Sequence, residues 1–148
     1  MKEISNRSAS YHFHLEQMFT AGMVLSGTEV KSIRSGKVSF NDSFCFLDSN
    51  GELFIRNLHI AGYSHGTSNN HVPTRERKLL LQRRELRRIM AKTKEKGYTI
   101  IPVRIFFSES GFAKLEIALA KGRNSYDKRQ HLKSKDLNRE LRKELRTV

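Results

Sequence analysis

A single cysteine, Cys45, stands in 148 residues. No disulfide can close within the chain, and no cysteine cluster can hold zinc. Proline is almost as scarce, with only Pro73 and Pro102. Pro102 interrupts a run rich in β-branched and aromatic residues, Tyr98 to Phe107, which predicts an edge strand or a bulge there. No apolar stretch approaches the ~20 residues of a membrane-spanning helix. Residues 1–11 are polar and lack the apolar segment of a secretory leader. The expected setting is therefore a reducing cytoplasm, with no membrane partner.

Catalytic signatures are missing too. The chain has no Gly-x-Ser-x-Gly, no glycine loop followed by Lys-Ser/Thr, and no His-Glu-x-x-His. His12 and His14 share one face of a predicted strand, and Glu16 is close. No cysteine or paired carboxylate completes a metal site around them, so they read as ordinary sheet-face histidines. A basic RNase is the best enzyme alternative. His59, His65 and His71 are its candidate acid–base groups, but they fall in a loop without an evident partner. The expectation is a binding protein that needs no cofactor and catalyses nothing.

What the chain has in excess is positive charge, +13 in all. Residues 1–74 carry six basic and six acidic side chains, and residues 97–120 carry two of each. The excess sits in residues 75–96, with ten basic and three acidic, and in residues 121–148, with ten basic and four acidic. A balanced body with two concentrated basic elements is the electrostatic footprint of a polyanion binder. Solubility alone requires no such segregation.

Apolar residues make up 37% of the chain, enough for a modest core only. Tyr11 to Leu15 alternates as a half-buried strand, Ala21-Gly22 interrupts it, and Met23-Val24-Leu25 resumes it. Ser26-Gly-Thr-Glu29 is a capping box that opens a short helix, and Gly36 suits its end. On that helix Val30 and Ile33 face the body while Lys31 and Arg34 point outward. Phe44 to Leu47 and Leu53 to Ile55 flank Asp48-Ser-Asn-Gly51, the chemistry of a hairpin turn. Residues 57–73 read as a loop with one short strand around His59. Residues 74–96 read as the longest helix, capped by Thr74 and ended by Gly97. Its buried stripe is Leu79, Leu86, Ile89 and Met90, and Arg77, Arg84 and Arg88 face solvent. Phe112 to Ala120 is a strand with Leu115, Ile117 and Leu119 on its inner face.

The predicted fold is mainly β with α: an OB-like antiparallel β-barrel with flanking helices, covering residues 1–122. Residues 123–148 form a basic C-terminal tail. Leu137, Leu141 and Leu145 give it one thin apolar stripe, so its helix is marginal alone and is expected to order on a partner.

The string from Gly27 to Ser32 with Gly36-Lys37 has two readings. It is a capped helix with ordinary surface charges, or a helix edge that brings Lys31, Arg34 and Lys37 to phosphates. Asn69-Asn-His-Val-Pro73 followed by Thr-Arg-Glu-Arg-Lys78 sets polar groups and then cations where a phosphate can be held.

These strings fall in the order of one family. Asn6-Arg7, Ala21-Gly22, Gly27-Thr-Glu-Val-Lys-Ser32, Gly36-Lys37, Asp42-Ser43, Asn70-His71, Pro73, Arg75, Arg77-Lys-Leu-Leu-Leu81, Arg84-Glu85, Gly97-Tyr-Thr99, Ala118 to Gly122 and Tyr126-Asp-Lys-Arg129 span nearly the whole chain. The ordered set resembles the SmpB family, the partners of transfer-messenger RNA in bacterial trans-translation. The resemblance implies an OB-like barrel that binds the tRNA-like domain of that RNA as a monomer. It implies a tail that enters the decoding centre and mRNA channel of a stalled 70S ribosome and folds there as a helix. The complex frees the ribosome and tags the unfinished peptide.

Residue by residue, the resemblance implies RNA contacts from Asn6 and Arg7, and from Gly27, Glu29, Lys31, Ser32, Arg34 and Lys37. It implies further contacts from Asn70, His71, Arg75, Arg77, Lys78 and Leu80, and from Lys121 and Gly122. Leu80, off the core stripe and beside arginines, would pack on a sugar or base. Ribosome contacts are implied for Tyr126, Asp127, Lys128, Arg129, Lys133, Lys135, Arg139 and Arg142, with Tyr126 stacking on a base and Lys128 and Arg129 holding phosphates. Thr20 stands where the family carries Glu, Val72 where Asp is common, and Arg123-Asn124 where two cations are usual. A ribosomal protein held permanently on rRNA is the remaining alternative.

Overall fold

The computed structural model describes residues 3–63 and 70–122. Its elements run β1 (Ile4–Ser5), α1 (Ala9–His12), β2 (Phe13–Met23), α2 (Gly27–Arg34), β3 (Val38–Ser39), β4 (Phe44–Leu47), β5 (Leu53–Arg56), β6 (His59–Ile60), β7 (Arg77–Leu80), α3 (Arg83–Thr93), β8 (Tyr98–Phe107) and β9 (Ala113–Gly122). Six strands hydrogen-bond in a ring, β8–β4–β5–β7–β2–β9, which a β8–β9 pairing closes. β1 adds to β8 outside the ring, and β3 and β6 form a separate two-stranded ribbon. Every pairing is antiparallel. The mainly β architecture with flanking helices is the one anticipated from the sequence.

The ring is filled by alternate residues of its strands. Phe19, Ala21, Cys45, Leu53, Ile55, Leu79, Ile100, Ile105, Leu115, Ile117 and Leu119 point inward and are buried together. Ile33 of α2 and Ile89 of α3 plug into the same core, with Leu86 packed beside it. A smaller cluster lies under α1, where Ala9, Ile101, Ala118 and Ala120 meet the half-buried Phe13, Leu15 and Val103. Around this point β9 is buried on both faces, which explains its alanines.

Two local expectations are corrected, and a third is narrowed. Tyr11 does not begin the first strand. Residues 9–12 coil into α1, and β2 then runs without a break through Ala21-Gly22. Gly22 continues the ladder, paired with Leu80 on one side and Lys114 on the other. The larger correction concerns residues 74–96. The first part is strand β7, held between β5 and β2. The helix starts only after Gln82, whose side chain and that of Glu85 form the capping box. The burial of Arg77 and Leu79 alternates with a period of two, and the buried arginine disguised that alternation as a polar position of a helix. Leu79 therefore belongs to the ring and not to the helical stripe. Of the two readings of Pro102, edge strand or bulge, the second holds. It sits at a bulge, where the register shifts between Pro102 and Arg104.

Other expectations are met. Ser26 and Glu29 form the capping box of α2, Ile33 is buried, and Lys31 and Arg34 are exposed. The β4–β5 hairpin turns on Asp48, whose carboxylate accepts from the Asn50 and Glu52 amides at 3.0 and 2.9 Å. Gly51 adopts φ +77° in this turn, and a Cβ there would come within 2.8 Å of the Met90 methyl. The left-handed backbone costs a non-glycine residue about 1 kcal/mol. Gly51→Ala is expected to lower unfolding stability by about 1–2 kcal/mol, read as a lower urea midpoint with an unchanged slope.

No helix among the described residues is long and apolar enough to cross a membrane. The tail, with Tyr126, Asp127, Lys128, Arg129, Lys133, Lys135, Arg139 and Arg142, lies outside the described residues, as does His65.

Candidate nucleic-acid interface

The expected RNA contacts separate into two groups once the chain is folded. The first group turns inward. Glu29 and Arg77 are both fully buried and paired through Arg77 Nε and Glu29 Oε2. Arg77 also donates from Nη1 to the Leu58 carbonyl at 2.7 Å and from Nη2 to the Pro73 carbonyl at 3.0 Å. The other Glu29 oxygen accepts from Arg75 Nη2 at 2.6 Å and from the Ser26 amide at 2.8 Å. Burial alone would raise the Glu29 carboxyl. The hydrogen bonds from Arg75, Ser26 and Arg77, with the Arg77 charge, outweigh it and hold the group at about 2. Burial lowers the Arg77 guanidinium, and Glu29 opposes that shift.

Glu29, Arg77 and Ser32, expected among the RNA contacts, are thus buried within the fold. Glu29 and Arg77 lock α2 onto β7 and the strand ends around it. Arg75 is half-exposed but is held by Glu29 and by the Val24 carbonyl.

Asn70 and His71 are also engaged within the fold. The Asn70 amide bridges the Tyr63 backbone, accepting from its N–H at 3.2 Å and donating to its carbonyl at 3.0 Å. His71 Nε2 lies 2.9 Å from the Ile60 carbonyl, which can only accept, so this nitrogen carries the proton. Nδ1 then accepts from the Thr28 hydroxyl at 2.9 Å. His71 thereby ties residues 70–73 to the start of α2 and is not placed as a catalytic base. Among the described residues no group of three His, Cys, Asp or Glu is placed to hold a metal ion. Asn6 donates to the Pro102 carbonyl at 2.8 Å, pinning the chain before α1 to the bulge of β8.

The second group faces solvent. Lys31, Arg34 and Lys37 follow one edge of α2 and its exit turn, where Gly36 takes φ +73°. Lys31 lies over the Tyr63 ring and Arg34 over the Phe107 ring, at 5.2 and 5.3 Å from the centroids. Arg7, Gly27, Lys121 and Gly122 are exposed. Lys78 is half-buried and pairs with Glu52 at 3.1 Å.

Leu80 is 52% exposed, as anticipated, although it lies on a strand and not on a helix. It lines a groove of about 440 Å³ together with Gly22, Met23, Val24, Leu25, Val30 and the segment from Gly111 to Lys114. Leu80, Gly22 and Lys114 form one row across β7, β2 and β9, all on the outer face. Phe112 is 68% exposed and Val24 44%. A side chain at Gly22 would press on the Leu80 Cβ at 3.4 Å, so glycine keeps the groove floor open.

Val24, Phe112 and Lys114 were not anticipated as site residues. One signal was available for Phe112: with Ala113, Leu115 and Ile117 facing in, the period of two sends Phe112 out, and a large aromatic facing water asks for a partner.

An apolar groove with a mobile-length lysine at its end and further cations along α2 suits a folded nucleic acid. Exposed apolar side chains are what a base or sugar packs on, and cations are what phosphates meet. This arrangement defines a nucleic-acid-binding module. The comparisons with known proteins make the class particular. The family model described as SmpB protein matches residues 3–147. The SsrA-binding protein of Phocaeicola vulgatus is 51% identical over 93% of this chain and 91% of its own. That of Geobacter sulfurreducens is 49% identical over 96% and 92%. A solved structure reported as "tmRNA-SmpB: a journey to the center of the bacterial ribosome" superposes with a TM-score of 0.70 at 44% identity, covering 83% of this chain and 85% of that one. The chain belongs to the SmpB family.

Proposed function

We propose that the protein binds the tRNA-like domain of transfer-messenger RNA and delivers it to stalled bacterial ribosomes for trans-translation. The observation that carries this reading is the exposed Leu80–Phe112 groove beside Lys114, on a chain of net charge +13 whose family match runs through the basic tail. Leu80 and Phe112 receive a base or ribose, and Lys114, Lys31, Arg34 and Lys37 neutralise phosphates. Arg7, Gly27, Lys121 and Gly122 complete the accessible surface. The protein acts in the cytoplasm, as a monomer, by holding RNA and not by transforming it.

Residues 123–148 serve the ribosome. Tyr126 stacks on an unpaired base, and Asp127, Lys128, Arg129, Lys133, Lys135, Arg139 and Arg142 set the tail in its channel. Support comes from the tail's separate charge of ten basic against four acidic residues counted from Lys121, which a body already carrying its own cations does not require.

Binding of the pure protein to a transcript of the tRNA-like domain, followed by sizing of that RNA, tests the reading. Tight binding with the RNA intact is expected. Cleavage would establish the RNase alternative, and retention on every ribosome of a sucrose gradient would establish a ribosomal protein. Lys128→Ala with Arg129→Ala is expected to leave binding to the transcript unchanged and to remove peptide tagging in a reconstituted translation assay. Equal loss of both would show that body and tail share one task.

A further inference from the structure

α3 carries Arg83, Arg84, Arg87 and Arg88 on one exposed arc, with Lys94 continuing it. Among the described residues none of these five forms an ion pair. Arg56, Arg75, Arg77, Lys78, Lys92 and Arg104, by contrast, all have carboxylate partners. Arg84 and Arg88 stand out further, because each is held by a neutral acceptor. Arg84 Nε donates to Gln82 Oε1 at 3.1 Å, and Arg88 Nε donates to Gln17 Oε1 at 2.7 Å.

An amide oxygen on Nε fixes the direction of a guanidinium without cancelling its charge. It leaves both Nη groups, the fork that grips a phosphate, without a protein partner. The two arginines are four residues apart, about 6 Å along the helix axis. They line one open cleft of about 460 Å³ between α3 and β2, with Gln17, Met18, Phe19 and Glu85 as its other walls. The Glu85 carboxylate accepts from the Gln82 amide at 3.1 Å, as part of the helix cap.

We infer that this cleft is a phosphate-binding site for the RNA backbone, in which Arg84 and Arg88 hold two neighbouring phosphates of the same RNA that fills the Leu80–Phe112 groove. Continuity favours one RNA for both. β2 supplies Gly22 to the groove and Gln17, Met18 and Phe19 to the cleft, and β7 leads from Leu80 into α3 through only Leu81 and Gln82. Gly22 and Gln17 are thus about 16 Å apart along one strand, with exposed Thr20 between groove and cleft. Arg83, Arg87 and Lys94 extend the positive surface beyond the cleft and steer the backbone toward it. The inference rests on the reading that the groove binds a tRNA-like RNA.

The test compares wild type with R84Q/R88Q for binding to a tRNA-like-domain transcript, from about 50 to about 200 mM salt. Loss of two phosphate contacts is expected to weaken binding about tenfold at the lower salt and to reduce the slope of log K against log salt by about 1.5. R84K/R88K is expected to keep most of that slope while binding more weakly, since it retains the charges and loses the forks. Both changes lie on the helix surface, and an unchanged thermal transition verifies the fold. If one double variant unfolds, the single R84Q and R88Q variants carry the same comparison.

Wild-type affinity and slope in R84Q/R88Q would overturn the site. So would intact RNA binding with lost ribosome cosedimentation, which would give the cleft to ribosomal RNA instead. Failure of the wild type to bind the transcript would overturn the functional reading itself, a separate result.

Discussion

Glu29→Ala is expected to lower the stability of the domain by about 3–5 kcal/mol, enough to leave much of the chain unfolded at physiological temperature, since a whole domain is stable by only about 5–15 kcal/mol. The substitution strands Arg77, a fully buried guanidinium whose Nε loses its only acceptor. It also releases Arg75 and the Ser26 amide, so the cap of α2 opens at the same moment. Those losses act on one network and do not add independently. Urea unfolding followed by circular dichroism measures the effect, and a change under about 1 kcal/mol would show that the pair contributes little, as surface pairs do.

Acid should act on the same group. The Glu29 carboxyl titrates at about 2 in the folded chain, against an ordinary value of 4.5. A depressed carboxylate adds stability that is fully present above its unfolded value and is lost as pH falls toward its folded one. Wild-type stability should therefore be flat from this source above about pH 5.5 and decline between 4.5 and about 2. The same network engages the Glu29 and Arg77 side chains within the fold, with partners on α2, β7 and the neighbouring strand ends.

The second large effect is on binding. Leu80→Ala with Phe112→Ala should weaken affinity for the tRNA-like domain about 100-fold or more. A stacked base contributes about 1–3 kcal/mol on an aromatic, the leucine adds apolar contact of similar order, and each 1.4 kcal/mol is about tenfold. Both side chains are mostly exposed, so the melting temperature should hardly move. A large loss of affinity without a loss of stability is the signature of a contact surface. Equal affinity in the double variant would take the groove out of the interface.

Much of this was legible from the chain because local chemistry and global fold agree over most of it. The Ser26–Glu29 cap, the Asp48–Gly51 turn and the alternation in β9 each depend on residues within a few positions of one another. The errors arose where a partner remote in sequence decides the outcome. Arg77 reads as a surface cation until Glu29, 48 positions away, is seen to bury it. Residues 77–80 read as helical because their strand partners, residues 53–55 and 22–23, are supplied by other parts of the ring. The groove was half-visible: Leu80 was singled out, whereas Lys114 joins it only through the register of β2 with both of its neighbours. Arg84 and Arg88 were placed on a solvent-facing stripe, but nothing in the spacing distinguishes arginines fixed by glutamine from those paired with glutamate.

One property of β2 bears on how two large partners can be served at once. At its far end Gly22 pairs with Lys114 in the groove, and at its near end Phe13 pairs with Gly122, the residue from which the tail departs. Eight residues of strand lie between Phe13 and Gly22, a separation of about 30 Å. β2 is thus a ruler built into the body. It cannot shorten without breaking the ring, so Gly122, after which the tail begins, and the groove proposed to receive the RNA are held at a set distance. A messenger that joins two machines needs such a gauge more than it needs strength at either end.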